Sequence, residues 1–284
     1  MELLAFLLIL WCVYVSDAVW WTASDRIILS GSRFGEFQAR RGPSLELREG
    51  KGFAAASLLP PFHYTFECDL HRGSESRTPI LKHAHIERLA TQALSAAAPL
   101  RMLGQGLWIY LFAVTPLTIA LFGLLPTWRP LLAILVVWVI TIVVMYRRAW
   151  RRLYEARPSA WTSDAALMVL SPPGAIGAAD RLTRHALAAV GGIRATSVIA
   201  SPHEFCRIAR LIYFDHESVA SDAVKREIDE ILDGRRLREI FDAAPAPEPG
   251  MTGFCHRCHA QVMRDSGGCP DCVGLAITPF RPIA

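Results

Sequence analysis

Three long apolar runs dominate the chain, and each predicts a helix that spans a membrane. The first run covers residues 3–21 and ends in a pair of tryptophans. Its length corresponds to about 28 Å of helix, close to the roughly 30 Å hydrocarbon core of a bilayer. A cleaved signal peptide is the alternative, since Ser16 and Ala18 suit the positions before a cleavage site. No Lys or Arg precedes the run, which favours an uncleaved transmembrane anchor over residues 1–23.

The second and third runs, residues 107–125 and 131–145, contain no charged side chain. A short segment bounded by Pro126 and Pro130 separates them, so together they predict a transmembrane helical hairpin over residues 102–146. The alternative is a pair of buried core helices in a soluble protein. It is disfavoured because the two uncharged runs leave no polar face.

Basic residues near the ends of the runs predict the orientation, because Lys and Arg concentrate on the cytoplasmic side of a membrane. Five arginines follow the third run between residues 147 and 157, whereas the hairpin turn carries only Arg129. Arg26 and Arg33 follow the first run. The chain is therefore expected to lie in the cell's inner membrane as a multi-pass protein. Its N-terminus would face outside and its C-terminus the cytoplasm, with anionic lipids beside the arginines.

Residues 24–101 predict a small β-rich cytoplasmic module followed by a helix. Short β-prone stretches at 26–29, 33–39, 44–48 and 63–68 are separated by Gly and Pro turns. A helix over residues 79–98 is expected to cover this sheet and to end at Pro99.

Residues 147–243 predict a cytoplasmic α/β and helical region. Strands are expected at 166–170 and 195–199, and a helix is expected to begin at Ser201 and Pro202. A charged amphipathic helix, interrupted at Gly234, is expected over 221–242 and suits docking on a neighbour or a partner. Prolines at every second position make residues 244–250 a semi-rigid linker, and residues 251–284 form a final module.

Composition agrees with a membrane protein that carries water-facing modules. Hydrophobic residues make up 52% of the 284 residues, yet charged residues reach 20%, too many for a chain that lies wholly in a bilayer. Seven cysteines are too few, and odd in number, for a secreted disulfide scaffold. The net charge of +4 is scattered, which argues against a nucleic-acid binder.

Two Cys-x-x-Cys motifs in the final module carry the strongest chemical signal. Cys255 and Cys258 form the first, and after ten further residues Cys269 and Cys272 form the second. Each motif can direct two thiolates at one metal ion, and four thiolates make the closed tetrahedral site of structural Zn²⁺. A module this short cannot build a stable core, so metal binding would supply its folding energy.

Residues 254–273 resemble a zinc ribbon with rubredoxin-like knuckles. The resemblance covers this segment alone. Such knuckles often carry glycine directly after the second cysteine, whereas this chain has His259 and Val273 there. His256 and His259 are expected to be neighbours of the metal and not ligands. The predicted fold is thus a multi-pass α-helical membrane protein with three transmembrane helices, a small β-rich module, a small α/β module and a C-terminal zinc ribbon.

Other interpretations of the cysteines stay open. Residues 255–259 match the Cys-x-x-Cys-His pattern of c-type haem attachment, but this attachment occurs outside the cytoplasm and would leave the second motif unused. Iron could replace zinc at the same thiolates, and two disulfides would require an oxidising compartment. A second metal cluster is also conceivable, although a strand thiol and exposed histidines explain the same residues: Cys68, His71, His83 and His85.

Three functions of different classes fit these features. A non-enzymatic membrane adaptor or assembly factor, which offers the ribbon or the 221–242 helix to a protein partner, uses all of them. The alternative is a membrane-associated enzyme that acts on a lipid or a lipid-linked glycan. Its candidate groups would be His83, His85, Glu87 and Asp180, but the sequence contains no recognisable catalytic motif. Nucleic-acid binding through the ribbon is the least favoured, because its arginines form no basic stripe.

Overall fold

Helices dominate the structure, a computed structural model. Within the residues that it describes there are ten α-helices and three small β-sheets. The described residues are 2–23, 25–32, 35–42, 45–48, 51–55, 64–70, 83–153, 158–187, 190–214, 222–263, 268–272 and 275–280.

The elements divide into an N-terminal part with two sheets, a helical middle and a C-terminal sheet. In chain order they are α1 (Glu2–Ala18), β1 (Val19–Ala23), β2 (Arg26–Gly31), β3 (Gln38–Arg41), β4 (Leu45–Arg48), β5 (Lys51–Ala55), β6 (Tyr64–Asp69), α2 (His83–Ile109), a π-helical turn (Tyr110–Val114), α3 (Thr115–Phe122), α4 (Leu124–Leu153), α5 (Pro158–Leu170), a 3-10 helix (Pro172–Gly177), α6 (Ala178–Leu187), α7 (Gly192–Ile199), α8 (Pro202–Tyr213), α9 (Asp222–Gly234), α10 (Arg238–Asp242), β7 (Gly253–Phe254), β8 (Gln261–Val262) and β9 (Thr278–Pro279).

Two antiparallel sheets follow α1. One has the order β1-β5-β4, and the other has the order β3-β2-β6. The central strand β2 pairs Leu29 with Ala39 on one side and with Phe66 on the other. Ile27 and Leu29 are completely buried, because α7 covers β2 while α6 and α8 pack on the flanking strands. The main core therefore lies between this sheet and the helices that follow it.

Both edges of the β3-β2-β6 sheet are bonded by carboxylates from distant helices. Asp180 of α6 accepts a hydrogen bond from the Thr65 amide of β6 at 3.0 Å, and Glu204 of α8 accepts one from the Ala39 amide of β3 at 2.8 Å. Arg207, which pairs with Glu204, donates to the Ala39 carbonyl. Free groups on an edge strand are a template for pairing with other chains. The two helices supply these bonds in place of a fourth strand.

We expect Asp180→Asn to remove a pH dependence from the protein's stability. Burial raises the pKa of Asp180 to about 7, and the Thr65 hydrogen bond and nearby arginines offset this only in part. The unfolded pKa is about 3.9, so the folded protein holds the extra proton from roughly pH 4 to 7, and stability falls as pH rises through that window. Between about pH 4.5 and about pH 7.5, the thermal midpoint of the wild type should fall more than that of the variant. An equal fall in both proteins would contradict this assignment.

Helix α2 runs from the sheet directly into the apolar part of the chain, through Pro99. The predicted helix end at Pro99 is therefore wrong. A proline inside a helix removes one backbone hydrogen bond, but the Pro99 ring lies on the exposed side of α2. The opposite face packs into the core at helical spacing, which outweighs the lost bond, and its buried residues are Ile86, Ala90, Ala93, Ala97 and Leu100.

The apolar hairpin, formed by residues 106–145, turns at Gly123 and not at the proline-bounded segment. Gly123 has φ 80, a left-handed conformation that glycine adopts readily. Helix α3 ends there and α4 begins at the next residue, so Pro126 and Pro130 both lie within α4. The predicted turn over residues 126–130 is wrong by several residues.

Close packing joins the two arms of the hairpin. A Cβ atom at Gly106 would lie 2.5 Å from the Trp138 ring, so only glycine fits that contact. The Trp138 indole donates to the Leu103 carbonyl at 3.0 Å, and the Tyr110 hydroxyl donates to the Leu131 carbonyl at 2.6 Å. Small residues and side-chain hydrogen bonds of this kind are typical of helix pairs in membranes.

Two helical segments among the described residues are long and apolar enough to cross a membrane, Ala84–Phe122 and Leu125–Leu153. The prediction of three transmembrane helices is therefore wrong. Helix α1 has 17 residues and passes directly into β1. Trp20 and Trp21, expected at the end of the first span, pair instead with Ala54 and Phe53 of β5. This long-range strand pairing shortens the helix that the apolar run predicted.

The predicted α/β module is also wrong, because both of its strands are helical. Residues 166–170 lie in α5, and residues 195–199 lie in α7. In α7 the Thr196 hydroxyl bonds the Gly192 carbonyl and the Ser197 hydroxyl bonds the Arg194 carbonyl, so its polar side chains are satisfied within the helix. A short apolar stretch between turns fits a buried helix as well as a buried strand.

Two local predictions in the same region are confirmed. The Ser201 hydroxyl accepts a hydrogen bond from the Glu204 amide and caps α8, with Pro202 at the first helical position. The charged helix over 221–242 is present as α9 and α10, with its break directly after Gly234.

Candidate metal centre

Four cysteines lie together at the C-terminal sheet. The sulfur atoms of Cys255, Cys258, Cys269 and Cys272 are all within 4.8 Å of one another, and those of Cys258 and Cys269 are 3.5 Å apart. Four sulfurs bound at about 2.3 Å to one tetrahedral ion lie about 3.8 Å apart. The cluster therefore fits a metal ion. All four cysteines are free thiols, so the disulfide interpretation has no support in this geometry.

The first cysteine pair sits on a tight backbone turn. The Cys255 amide donates to the Ala260 carbonyl at 3.0 Å, and the His259 amide donates to the Cys255 carbonyl at 2.8 Å. The Ala260 amide points at the Cys258 sulfur at 3.4 Å. His259 has φ 61, the left-handed conformation for which zinc ribbons commonly use glycine. The histidine at this position therefore does not prevent the knuckle from forming.

The second pair is closed by a similar exchange. The Cys269 amide donates to the Leu275 carbonyl, and the Leu275 amide donates to the Cys272 carbonyl, both at 3.1 Å. Val273, the second departure from the ribbon pattern, lies outside the described residues. Backbone hydrogen bonds thus hold both cysteine pairs.

Burial and hydrogen bonds act against each other on the pKa values of the thiols. Cys255 is fully buried, and Cys269 and Cys272 are nearly so. Burial raises the pKa of Cys258, and the adjacent thiols add to the effect. Hydrogen bonds from backbone amides and from neighbouring thiols outweigh burial at Cys269 and lower its pKa. A divalent cation would supply the positive charge that four thiolates require.

The small β8-β7-β9 sheet supports the cluster. Phe254 stacks on Phe280 at 5.4 Å and meets the His256 ring edge-on at 4.8 Å. A Cβ atom at Gly253 would lie 2.6 Å from the Ile277 side chain, so β7 and β9 approach each other closely there. Residues 253–280, with the cluster and this sheet, are called the ribbon below.

The ribbon contacts the helical part of the chain. The Arg257 guanidinium donates to the Leu211 carbonyl of α8 at 3.3 Å, and the His256 ring lies 5.9 Å from Phe214. Gln261 bonds the Ala246 carbonyl and the Glu248 amide, both at 2.8 Å, which ties the proline-rich segment to the ribbon. The ribbon is thus held against α8 and does not hang on a free linker.

Other residues singled out by the sequence do not form a site within the described chain. Cys68 is buried in β6 and burial raises its pKa to about 12, and His85 is exposed. His71 and the side chain of His83 lie outside the described part of the chain. Among the proposed enzyme groups, His85 and Glu87 are exposed in the first turn of α2. Asp180 interacts with Arg101, which lies about 24 Å further along that helix.

A buried polar network was missed by sequence reasoning. The Tyr146 hydroxyl donates to Asp164 at 2.5 Å, and the His185 ring lies 3.0 Å from the same carboxylate oxygen. Although burial opposes ionisation, these two hydrogen bonds lower the pKa of Asp164. The network joins α4, α5 and α6 at the base of the hairpin. Its members come from three separate helices, so no local spacing indicated it.

Comparison with known proteins gives no indication of the function, which is therefore inferred from the residues of the chain itself. No protein-family model, curated protein or solved structure matches the chain. The likeness to a zinc ribbon therefore rests on the four cysteines, their spacing and their closeness.

Proposed function

We propose that this chain is a membrane-anchored adaptor or assembly factor that presents a zinc ribbon to a protein partner in the cytoplasm. The observation that carries the proposal is an unbroken series of contacts between the hairpin and the ribbon. Helix α2 runs without a break from the hairpin into the core, and α8 in that core contacts the ribbon through Arg257. A ribbon held in this way keeps a fixed position relative to the hairpin.

The exposed surface of the hairpin supports a membrane location. In an 18-residue apolar window of each candidate span only 22% and 11% of the residues are buried, whereas a core helix of a soluble protein is mostly buried. The large side chains on its outer faces would otherwise contact water, and the most exposed are Leu117, Leu121, Phe122, Leu125 and Val137.

The length and charge of α4 suggest how the hairpin is oriented. The 22 residues from Leu124 to Met145 span about 33 Å, close to the thickness of a hydrocarbon core. Exposed arginines follow at once and would lie among the headgroups on the cytoplasmic side: Arg147, Arg148, Arg151 and Arg152. Gly123 would then lie outside and the ribbon inside. The predicted location of the N-terminus outside the cell required a membrane span over residues 3–21. Because that span is not supported, this part of the orientation is not proposed.

Reporter fusions should test this orientation. A reporter that is active only outside the cytoplasm, inserted after Gly123, is expected to be active, and the same reporter after Ala284 is expected to be inactive. The reverse pattern, or full release of the protein from membranes by alkaline carbonate, would overturn the membrane part of the proposal.

Zinc is the metal that we propose for the four thiols. Four thiolates with no open position suit a structural Zn²⁺, and a cytoplasmic location would keep the thiols reduced. The ion would hold the two cysteine pairs together, and no reaction step is assigned to it. Elemental analysis of protein purified in the presence of both metals separates zinc from iron, and one zinc per chain is expected.

Site-specific crosslinking tests the adaptor role. Met263 of the ribbon is 65% exposed, and Glu230 is exposed on α9. A photo-crosslinking residue at one of these positions is expected to trap a discrete protein partner in native membranes. Gln92, exposed on α2, is the control position. A partner held by the ribbon should be lost from the Met263 position when Cys258→Ser is added. Equal crosslinking at Gln92, or no protein adduct at either position, would overturn the adaptor proposal.

A further inference from the structure

A cleft of about 790 Å³ lies where the ribbon meets α8 and α10. Its charged wall includes arginines from α8 and from the ribbon, and its apolar wall comes from α8, α10 and the segment after α10. This volume is within the range of small-molecule sites. The lining residues that matter here are Arg207, Arg210, Arg257, Leu211, Ile240 and Ala243.

Arg210 is a buried guanidinium that forms no ion pair with a carboxylate of the described chain. It is 8% exposed, and one of its terminal nitrogens donates to the carbonyls of Ile240 and Phe241, each at 3.1 Å. Within the described chain its other N–H groups make no hydrogen bond, and no carboxylate lies within 4.0 Å of it. A buried charge normally has a partner, because its desolvation is otherwise costly.

Two other arginines of the chain, Arg207 and Arg194, show the contrast. Arg207, the neighbour of Arg210 in the cleft, is paired with Glu204 at 2.7 Å, and Arg194 is paired with Glu227 at 2.5 Å. Glu239 lines the cleft and is exposed to water, and the exposed Asp242 attracts Arg210 without forming an ion pair with it. Arg210 therefore keeps donors available on the cleft side.

A second residue of the cleft, His259, has a buried polar atom without a hydrogen-bond partner. Nε2 of His259 is inaccessible to solvent and makes no hydrogen bond within the described residues. The residue His259 lines the same cleft as Arg210, from the ribbon side. The α8 side of the cleft thus carries a guanidinium with unused donors, and the ribbon side carries a histidine with one buried, unpaired ring nitrogen.

We propose that this cleft binds a small organic anion. The carboxylate or phosphate group of the ligand pairs with the open donors of Arg210, whose planar fork matches such oxygens. The apolar part of the ligand lies against Leu211, Ile240 and Ala243. This site goes beyond the adaptor role and does not depend on it. Because the first knuckle forms one wall, a bound anion also stabilises the contact between the ribbon and α8.

Calorimetric titration of the full, metal-loaded chain in neutral phosphatidylcholine nanodiscs tests the site. Hexanoate and hexyl phosphate are the probes, with hexanol as the uncharged control and empty nanodiscs as the baseline. Saturable binding of one anion per chain is expected. The probe that binds more tightly shows whether the site prefers a carboxylate or a phosphate group. Inorganic phosphate should bind at least about tenfold more weakly than hexyl phosphate, because it lacks an apolar part. Equal binding of hexanol, or no binding of either anion at millimolar concentration, would overturn the proposal.

Matched variants link binding to Arg210. Arg210→Gln is expected to weaken binding by about 10- to 100-fold. Arg226→Gln removes the same charge from an exposed position outside the cleft and should leave binding unchanged. Unchanged binding in Arg210→Gln would refute the site.

A second variant tests the charge of the cleft without touching the bonds that Arg210 makes to the backbone. Glu239 is exposed at the rim, so Glu239→Gln should preserve the fold and strengthen anion binding by about two- to threefold, since it removes a like charge. Weaker binding in this variant would contradict an anion site even where Arg210→Gln fails to fold.

Discussion

Replacement of Cys258 by serine is expected to unfold the ribbon and to release it from α8, while the hairpin and the core stay folded. Apparent binding free energies of structural zinc reach about 10–16 kcal/mol, far more than so small a module gains from its own core. The contacts of Arg257 and His256 with α8 depend on the first knuckle, so they should be lost together with the metal.

Hydrogen exchange and limited proteolysis measure this effect directly. Amides between residues 253 and 280 should lose protection in Cys258→Ser, and the metal content should fall to near zero. Cys12→Ser is the matched control, since Cys12 is an exposed thiol outside the cluster, and it should leave both quantities unchanged. A ribbon that stays protected without metal would show that its own packing is sufficient.

Glu227→Ala is expected to lower the stability of the contact between α7 and α9 by about 3–5 kcal/mol. Glu227 is 5% exposed and its carboxylate lies 2.5 Å from the Arg194 guanidinium. Its removal leaves the largely buried positive charge of Arg194 without its closest partner. Chemical unfolding, or hydrogen exchange of α7 and α9, measures the loss.

The chain contains its own control for this substitution. Glu230 lies 4.0 Å from the same guanidinium, but its side chain is 63% exposed. Glu230→Ala should therefore cost less than about 1 kcal/mol. Replacing the pair together, by Arg194→Met with Glu227→Leu, should recover most of the stability, because no buried charge remains. Similar losses of stability in Glu227→Ala and Glu230→Ala would show that burial does not determine how much each ion pair contributes.

Features set by neighbours in sequence could be predicted, and features set by distant contacts could not. The cysteine cluster follows from two short spacings, and the Ser201 cap and the break after Gly234 follow from local backbone chemistry. The first apolar run contains no sign that residues 19–23 pair with residues 51–55. That strand pairing decides where α1 ends.

Burial accounts for the remaining errors and omissions. Residues 195–199 have the composition of a strand, yet as a helix they lie almost entirely within the core. Apolar character alone does not distinguish the two states, since each buries the same side chains. The burial of Arg210 without an ion pair likewise depends on α10 and the ribbon, which approach this residue only in the folded chain. The closeness of the cysteines was predictable, whereas the cleft beside them was not.

The carboxylates at the edges of the β3-β2-β6 sheet have a consequence during synthesis on the ribosome. Thr65 meets its partner Asp180 115 residues later, and Ala39 meets Glu204 165 residues later. At translation speeds of about 5–20 residues per second, the longer interval is roughly 8–33 s. Throughout that time the strands have been made but the helices that close them have not. We therefore expect the nascent chain to expose open strand edges, which favour pairing with other chains, until α8 has left the ribosome.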